Sequence, residues 1–284
     1  MSVEFELEGS RFRLRSLATI VRAWVALGDV PADARVELSE NEDSVWVFAP
    51  DASIRGFTLR HATRLISTRL DLRINACASQ GDWQLLYSCL RFLLGLGARG
   101  TEESGVPLCL PELSSAAAER RWRGDFSAGI GLLQNLTRTR GEEYVSLPNA
   151  FFAVSLDAAE IPDGRSDAEL DAVHTRLLEK AGRYSQARSV STIVMGDERT
   201  LFAWSGEACL TGATDFVAFP EENGEGGRFL PWQEVRVRAA AFIEEIRGRP
   251  PSFYFRARDE SASDAELWRE LMAAAAPLDH LSRS

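Results

Sequence analysis

Residues 79–97 constrain the fold more than any other segment. Ser79 and Asp82 make an S-x-x-D capping box. Trp83, Leu85, Leu86, Tyr87, Cys89, Leu90, Phe92, Leu93 and Leu94 follow before the next glycine, Gly95. At 3.6 residues per turn these side chains cover most of a helix's circumference instead of one stripe. Such a helix has little solvent face, so the rest of the chain must cover it from nearly all sides. A largely buried central helix near 80–96 is the expectation.

The chain has the means to cover it. Its 284 residues are 45% hydrophobic and 26% charged, and a chain this long buries roughly 75% of its unfolded surface. These proportions exclude a disordered chain, and 4 cysteines are too few for a disulfide-built scaffold. A net charge of −10 argues against a nucleic-acid binder, which needs a basic face for phosphate. Lys180 is the only lysine among the 32 basic residues, a skew that points to a GC-rich bacterial source. Glu4, Glu6 and Glu8 near the start are foreign to a secretory signal. No apolar run approaches the ~20 residues of a membrane span. The expectation is a cytoplasmic protein with reduced thiols and no membrane or nucleic-acid partner.

At the N-terminus Val3, Phe5 and Leu7 alternate with glutamates, and Phe12 and Leu14 alternate with Arg11, Arg13 and Arg15. Gly9-Ser10 between them suits a two-residue hairpin turn, which would set Glu8, Glu6 and Glu4 opposite Arg11, Arg13 and Arg15. Ser16 then caps a helix ending at Gly28, and strands are expected at Ser44–Ala49, Gly56–Arg60 and Arg69–Ala76. Residues 98–110 read as a loop, and 111–140 as a helix in two pieces broken near Gly124, with Asp125 as a cap.

Strands at Tyr144–Leu147 and Ala150–Leu156 turn at Pro148-Asn149, and Ser166 with Glu169 boxes the next helix. Strands follow at about Thr192–Met195, Thr200–Trp204 and Asp215–Phe219. A helix from Pro231 carries Val235, Ala239, Phe242, Ile243 and Ile246; Ser252–Arg256 is a strand, and Ser263 with Glu266 boxes a last helix. Helices and strands without strict β-α-β alternation predict an α+β fold with mixed or antiparallel sheets. Three segments are expected: an N-terminal α+β region (1–110), a helical connector (111–140) and an acidic C-terminal α+β region (141–284).

Chemical motifs are sparse. Gly95-Leu96-Gly97-Ala98-Arg99-Gly100 matches G-x-G-x-x-G, but it follows a helix, whose C-terminus repels phosphate. His61, His174 and His280 stand far apart with no Cys/His spacing, so no metal ligand set is expected, and His174 falls on an apolar stripe. Cys77 precedes a helix start that would lower a thiol pKa, yet it lacks a neighbouring base. Ser205 lacks the G-x-S-x-G elbow. No catalytic residue, cofactor or metal is assigned.

The segment 215–232 is the one candidate for binding. Phe216, Phe219, Phe229 and Trp232 surround Glu221, Glu222 and Glu225 among glycines. One reading is a hairpin-like loop with aromatic residues anchoring its ends. The other is an acidic surface for a basic protein, with Glu221, Glu222 and Glu225 as rim charges and Phe229 and Trp232 as anchors. Residues 1–110 hold 14 acidic and 12 basic side chains, 111–150 hold 5 of each, and 151–284 hold 23 and 15. The expectation is a non-enzymatic interaction protein with a basic protein partner. In fold class and charge such a chain is similar to some bacterial toxin-neutralising immunity proteins, a likeness that implies binding and neutralisation of that partner. The alternative is an enzyme, a hydrolase for instance, whose acidic and arginine groups assemble only in the fold.

Overall fold

The alternating N-terminus is a strand, β1 (Ser2–Glu8), with Phe5 and Leu7 buried. It opens the first of two compact units into which the chain divides, Met1–Gly182 and Arg183–Ser284. The computed structural model describes residues 2–9, 16–27, 30, 37–40, 44–63, 68–148, 152–185, 187–190, 192–195, 199–220, 227–246, 252–259 and 261–277.

In the first unit, α1 (Leu17–Leu27) is followed by β2 (Glu37–Glu40), β3 (Ser44–Phe48), β4 (Phe57–Thr63) and β5 (Thr68–Asn75). Next come α2 (Gln80–Gly95) and β6 (Arg99–Glu102). The six strands form an antiparallel sheet in the order β2-β3-β4-β5-β1-β6. The period-2 pattern works as expected: Val45, Val47, Phe57, Leu59, Leu70, Leu72 and Ile74 are all buried. Ser16 caps α1 through a bond from the Thr19 N–H (3.2 Å). The Trp24 indole donates to Ser88 Oγ of α2 at 3.0 Å, so the two helices share a satisfied buried contact.

The hairpin pairing is corrected. One edge of β1 is taken by β5 along Ser2–Glu8 and the other by β6 along Phe5–Glu8, leaving no edge for a hairpin partner there. Residues 11–15 lie outside the described residues. The glutamate row meets arginines as expected, but those of β5: Arg69 pairs with Glu6 and Arg73 with Glu4. The segment expected as a loop at 98–110 thus supplies a strand, β6.

α2 is the buried central helix. Trp83, Leu85, Leu86, Cys89, Leu90 and Leu93 are buried, and the capping box is present in both directions. α3 (Ser115–Arg140) is one continuous helix, not two pieces. A Cβ at Gly124 would meet nothing within 4 Å, so no close contact requires the glycine. A mid-helix glycine costs only about 1 kcal/mol. The stripe of Trp122, Phe126, Ile130 and Leu133 is buried across the site, and Asp125 is an interior helix residue instead of a cap. Gly129 allows α3 to approach Cys77, whose Sγ would lie 2.6 Å from an added Cβ.

β7 (Tyr144–Pro148) and β8 (Ala153–Asp157) form an antiparallel pair, whose connecting residues 149–151 are not described. α4 (Asp167–Ser185) starts at the expected box: Ser166 N–H donates to Glu169 Oε2 (3.0 Å) and Glu169 N–H to Ser166 Oγ (3.4 Å). The only lysine has a structural task. Lys180 Nζ donates to the Ser155 carbonyl and to Glu160 Oε2, each at 2.9 Å, tying α4 to β8.

The second unit contains β9 (Arg188–Ser189), β10 (Ile193–Val194), β11 (Thr200–Ala203), β12 (Cys209–Gly212), β13 (Phe216–Pro220), β14 (Gly227–Pro231), α5 (Trp232–Arg238), β15 (Ile243–Ile246), β16 (Ser252–Phe255), α6 (Ala262–Ala274) and β17 (Ala276–Pro277). They make two mixed sheets, β10-β11-β13-β14-β17 and β15-β16-β12-β9. Trp204, Phe202, Phe219, Phe242, Phe253 and Phe255 pack one core between them.

Two expectations change here. α5 stops at Arg238, and Ile243–Ile246 form a strand paired with Ser252–Phe255. The spacing of Val235, Ala239, Phe242 and Ile246 fits a helix, yet a short helix, a turn and a strand bury all four. The cap of α6 is Ser261, accepting from the Asp264 N–H at 3.2 Å, not Ser263. Asp264 at that position is free to grip Arg256 with both carboxylate oxygens, each at 2.7 Å.

Candidate functional sites

The hairpin of β13 and β14 carries the candidate acidic segment. Phe216, Val217, Ala218 and Phe219 are all buried, and β13 lies between β11 and β14. Pro220 and Gly227 are register partners, so residues 221–226 connect the two strands. Glu221, Glu222 and Glu225 lie outside the described residues. Phe229 is half-buried opposite Ala218. Trp232 is only 6% exposed, with its ring 4.7 Å from that of Phe253. It anchors the hairpin's base from inside the core.

The unit boundary redistributes the charge. Of the acidic excess in 151–284, residues 151–182 hold 7 acidic and 3 basic side chains and belong to the first unit. The second unit holds 16 and 12. Its acidity is therefore local. From Thr200 to Gly227 there are five acidic residues and no lysine or arginine.

Folding also assembles a cleft of about 390 Å³ in the second unit, lined by Arg183, Ala241, Phe242, Ile243, Glu244, Tyr254 and Arg256. Glu244 accepts from Arg183 Nη1 at 2.8 Å and from the Tyr184 hydroxyl at 2.6 Å. Burial and the bond to Glu244 push the Tyr184 phenol far up, so it stays protonated. Burial also raises Tyr254. Arg256 lies 4.3 Å over the Phe242 ring and donates through Nε to the Ala241 carbonyl (3.0 Å). With Asp264 it forms a fork that holds that carboxyl at about 2. None of these residues stood out in the sequence. Arg183 and Glu244 are far apart along the chain, and helical periodicity placed Glu244 inside a helix where the fold has a strand.

Other sequence candidates resolve structurally. Cys77 is buried with a positive φ of 61°, and burial pushes its thiol up to about 12 in spite of the helix start that follows. At neutral pH it is no nucleophile. Gly95 ends α2, and Gly97 has a φ of +88° in the turn before β6, where the N–H groups of Leu96, Gly97 and Ala98 donate back to the last carbonyls of α2. Among the described residues no group of three or more His, Cys, Asp or Glu side chains is placed to hold a metal ion. Among them, too, no helix is long and apolar enough to cross a membrane. His280 lies outside the described residues.

His174 packs between rings, 4.7 Å from Trp122 and 5.5 Å from Phe126, with Nε2 buried and without a hydrogen-bond partner among the described residues. Burial lowers its pKa, opposed by the charges of Asp82 and Asp171. The unfolded chain then binds this proton near pH 6.5 and the folded chain only at lower pH. Stability from a neutral His174 is full above about 6.5 and is lost as pH falls below it. His174→Phe is expected to flatten the fall in Tm from pH 7.5 to 5.5. Parallel pH–Tm curves for the two proteins would contradict this.

No family model matches the chain, and no curated protein matches it in sequence.

Proposed function

We propose that this chain is a non-enzymatic interaction protein of the bacterial cytosol that binds a basic protein partner through the connection of β13 and β14. One observation carries the reading: Glu221, Glu222 and Glu225 join two paired strands, in a stretch without a single basic side chain. The buried strand β13 offers a stiff base. Half-buried Phe229 on β14 supplies an apolar contact, and Trp232 secures the base. Acidic rim charges steer a basic partner and set its association rate. The similarity in fold class and charge to toxin-neutralising immunity proteins suggests that binding neutralises the partner.

The second reading, an enzyme such as a hydrolase, draws on the cleft, which gathers two arginines, a carboxylate and a phenol. Both oxygens of Glu244 are already engaged, an arrangement better suited to holding a ligand than to moving a proton.

The test is the triple variant Glu221→Gln, Glu222→Gln, Glu225→Gln. Substitutions of this kind at a surface shift stability by roughly 0.5 kcal/mol or less, so Tm is expected to stay nearly unchanged. The partner retained from a host lysate is identified by mass spectrometry, purified and titrated at low and high salt. The variant is expected to bind it about tenfold more weakly, with a shallower salt dependence. Equal affinity and equal salt dependence would overturn the assignment.

A further inference from the structure

We infer that the cleft of the second unit binds a small oxyanion, a carboxylate or phosphate monoester, carried on an aromatic body. The cleft carries more donors than acceptors. Arg183 uses only Nη1 toward Glu244; among the described residues its Nε and Nη2 meet no acceptor. The Tyr254 hydroxyl likewise has no hydrogen-bond partner among the described residues, and its raised pKa keeps it a donor. The carboxylate in the described lining, Glu244, already accepts from Arg183 on one oxygen and from the Tyr184 hydroxyl on the other, and the Arg183 guanidinium offsets its charge.

Arg256 plays a different part. Its Nε, Nη1 and Nη2 are committed to Ala241, Ala257 and Asp264, so it shapes the wall and holds Phe242 beneath it. The recognition elements are therefore the planar fork of Arg183, the phenol of Tyr254 and an aromatic wall. A guanidinium fork matches two oxygens of a carboxylate or phosphate. The cleft's volume of about 390 Å³ falls within the range of small-molecule sites and exceeds what a bare ion fills.

This cleft is built on β15 and β16, whereas the acidic segment joins β13 and β14 of the other sheet, so either assignment can fail while the other stands. The experiment titrates the full chain with phenyl phosphate, benzoate, inorganic phosphate and acetate, by calorimetry and by ligand-observed NMR. Saturable one-to-one binding of phenyl phosphate or benzoate is expected, about fivefold or more tighter than that of the corresponding bare ion. Which aromatic anion saturates first tells phosphate from carboxylate. Arg183→Gln is expected to weaken it about tenfold and Tyr254→Phe severalfold. Tyr254→Phe keeps the ring and so guards against an effect of misfolding. No saturation at tens of millimolar would overturn the inference. So would equal affinity for the bare ions, or binding that neither variant changes.

Discussion

Asp82→Ala is expected to cost the first unit about 3–5 kcal/mol, the range for removing one partner of a buried charge network. Asp82 is fully buried. Its Oδ2 accepts from the N–H groups of Ile54 (3.2 Å), Arg55 (3.1 Å) and Ser79 (2.7 Å), and Oδ1 accepts from Gly56 (2.8 Å). One carboxylate thus fastens the start of α2 to the chain between β3 and β4. Alanine would remove the acceptor of four N–H groups, three of them buried, and a buried N–H left unpaired costs about 1–3 kcal/mol. The loop they hold has little alternative. Gly56 has a φ of +67°, and a Cβ there would collide with the Val47 carbonyl oxygen. Chemical denaturation measures the loss, and hydrogen exchange should show the amides of Ile54, Arg55 and Gly56 opening first. Asp82→Asn is expected to fall between, since one acceptor oxygen remains. A loss below about 1 kcal/mol for Asp82→Ala would mean the network is not a fastening point.

Trp204→Ala is the corresponding change for the second unit, with about 3–5 kcal/mol expected for a large aromatic side chain deleted from a core. Trp204 is 1% exposed and packs against rings from β13, β16 and α6 and from the turn between α5 and β15. Its centroid distances are 4.9 Å to Phe255, 5.3 Å to Trp268, 5.4 Å to Phe242 and 6.3 Å to Phe219. Its indole N–H donates to the Glu207 carbonyl at 2.9 Å, so the ring is fixed at its polar end as well. Because Phe242 also forms a wall of the cleft, this variant should lose anion binding along with stability. Hydrogen exchange is the discriminating measurement: protection should fall in β11, β13 and β16 while α2 and β5 keep theirs. Equal loss of protection in the two units would show that they unfold as one.

Particular elements show where local information sufficed. The buried face of β5 follows from the alternation of Leu70, Leu72 and Ile74 alone, and α2 follows from its apolar circumference and its box. In both, neighbouring residues state the pattern and water enforces it. The partner of β1 was not available in that way. Arg11, Arg13 and Arg15 alternate with apolar residues as Arg69, Asp71 and Arg73 do, and charge alone favours the local hairpin, since β5 sets Asp71 opposite Glu6. Apolar spacing was ambiguous again where an expected helix became α5 and β15. Four apolar residues at helical spacing can all be buried by another conformation when a strand such as β16 waits nearby. Where β16 sits is non-local information.

The candidate sites divide along the same line. The acidic run of Glu221, Glu222 and Glu225 is a property of adjacent residues and was visible at once, as were its aromatic flanks. That Trp232 faces inward, and that half of the apparent C-terminal acidity belongs to the first unit, required the fold. The cleft could not be read at all, because Arg183, Glu244 and Tyr254 come from a helix end and two strands. By itself the sequence determined the α+β class, the buried helix and the sign of the charge, since each depends on composition or on side chains a few residues apart. Only the tertiary structure decided which strands pair and which polar groups meet. Those outcomes turn on contacts between distant residues, which local preference does not decide.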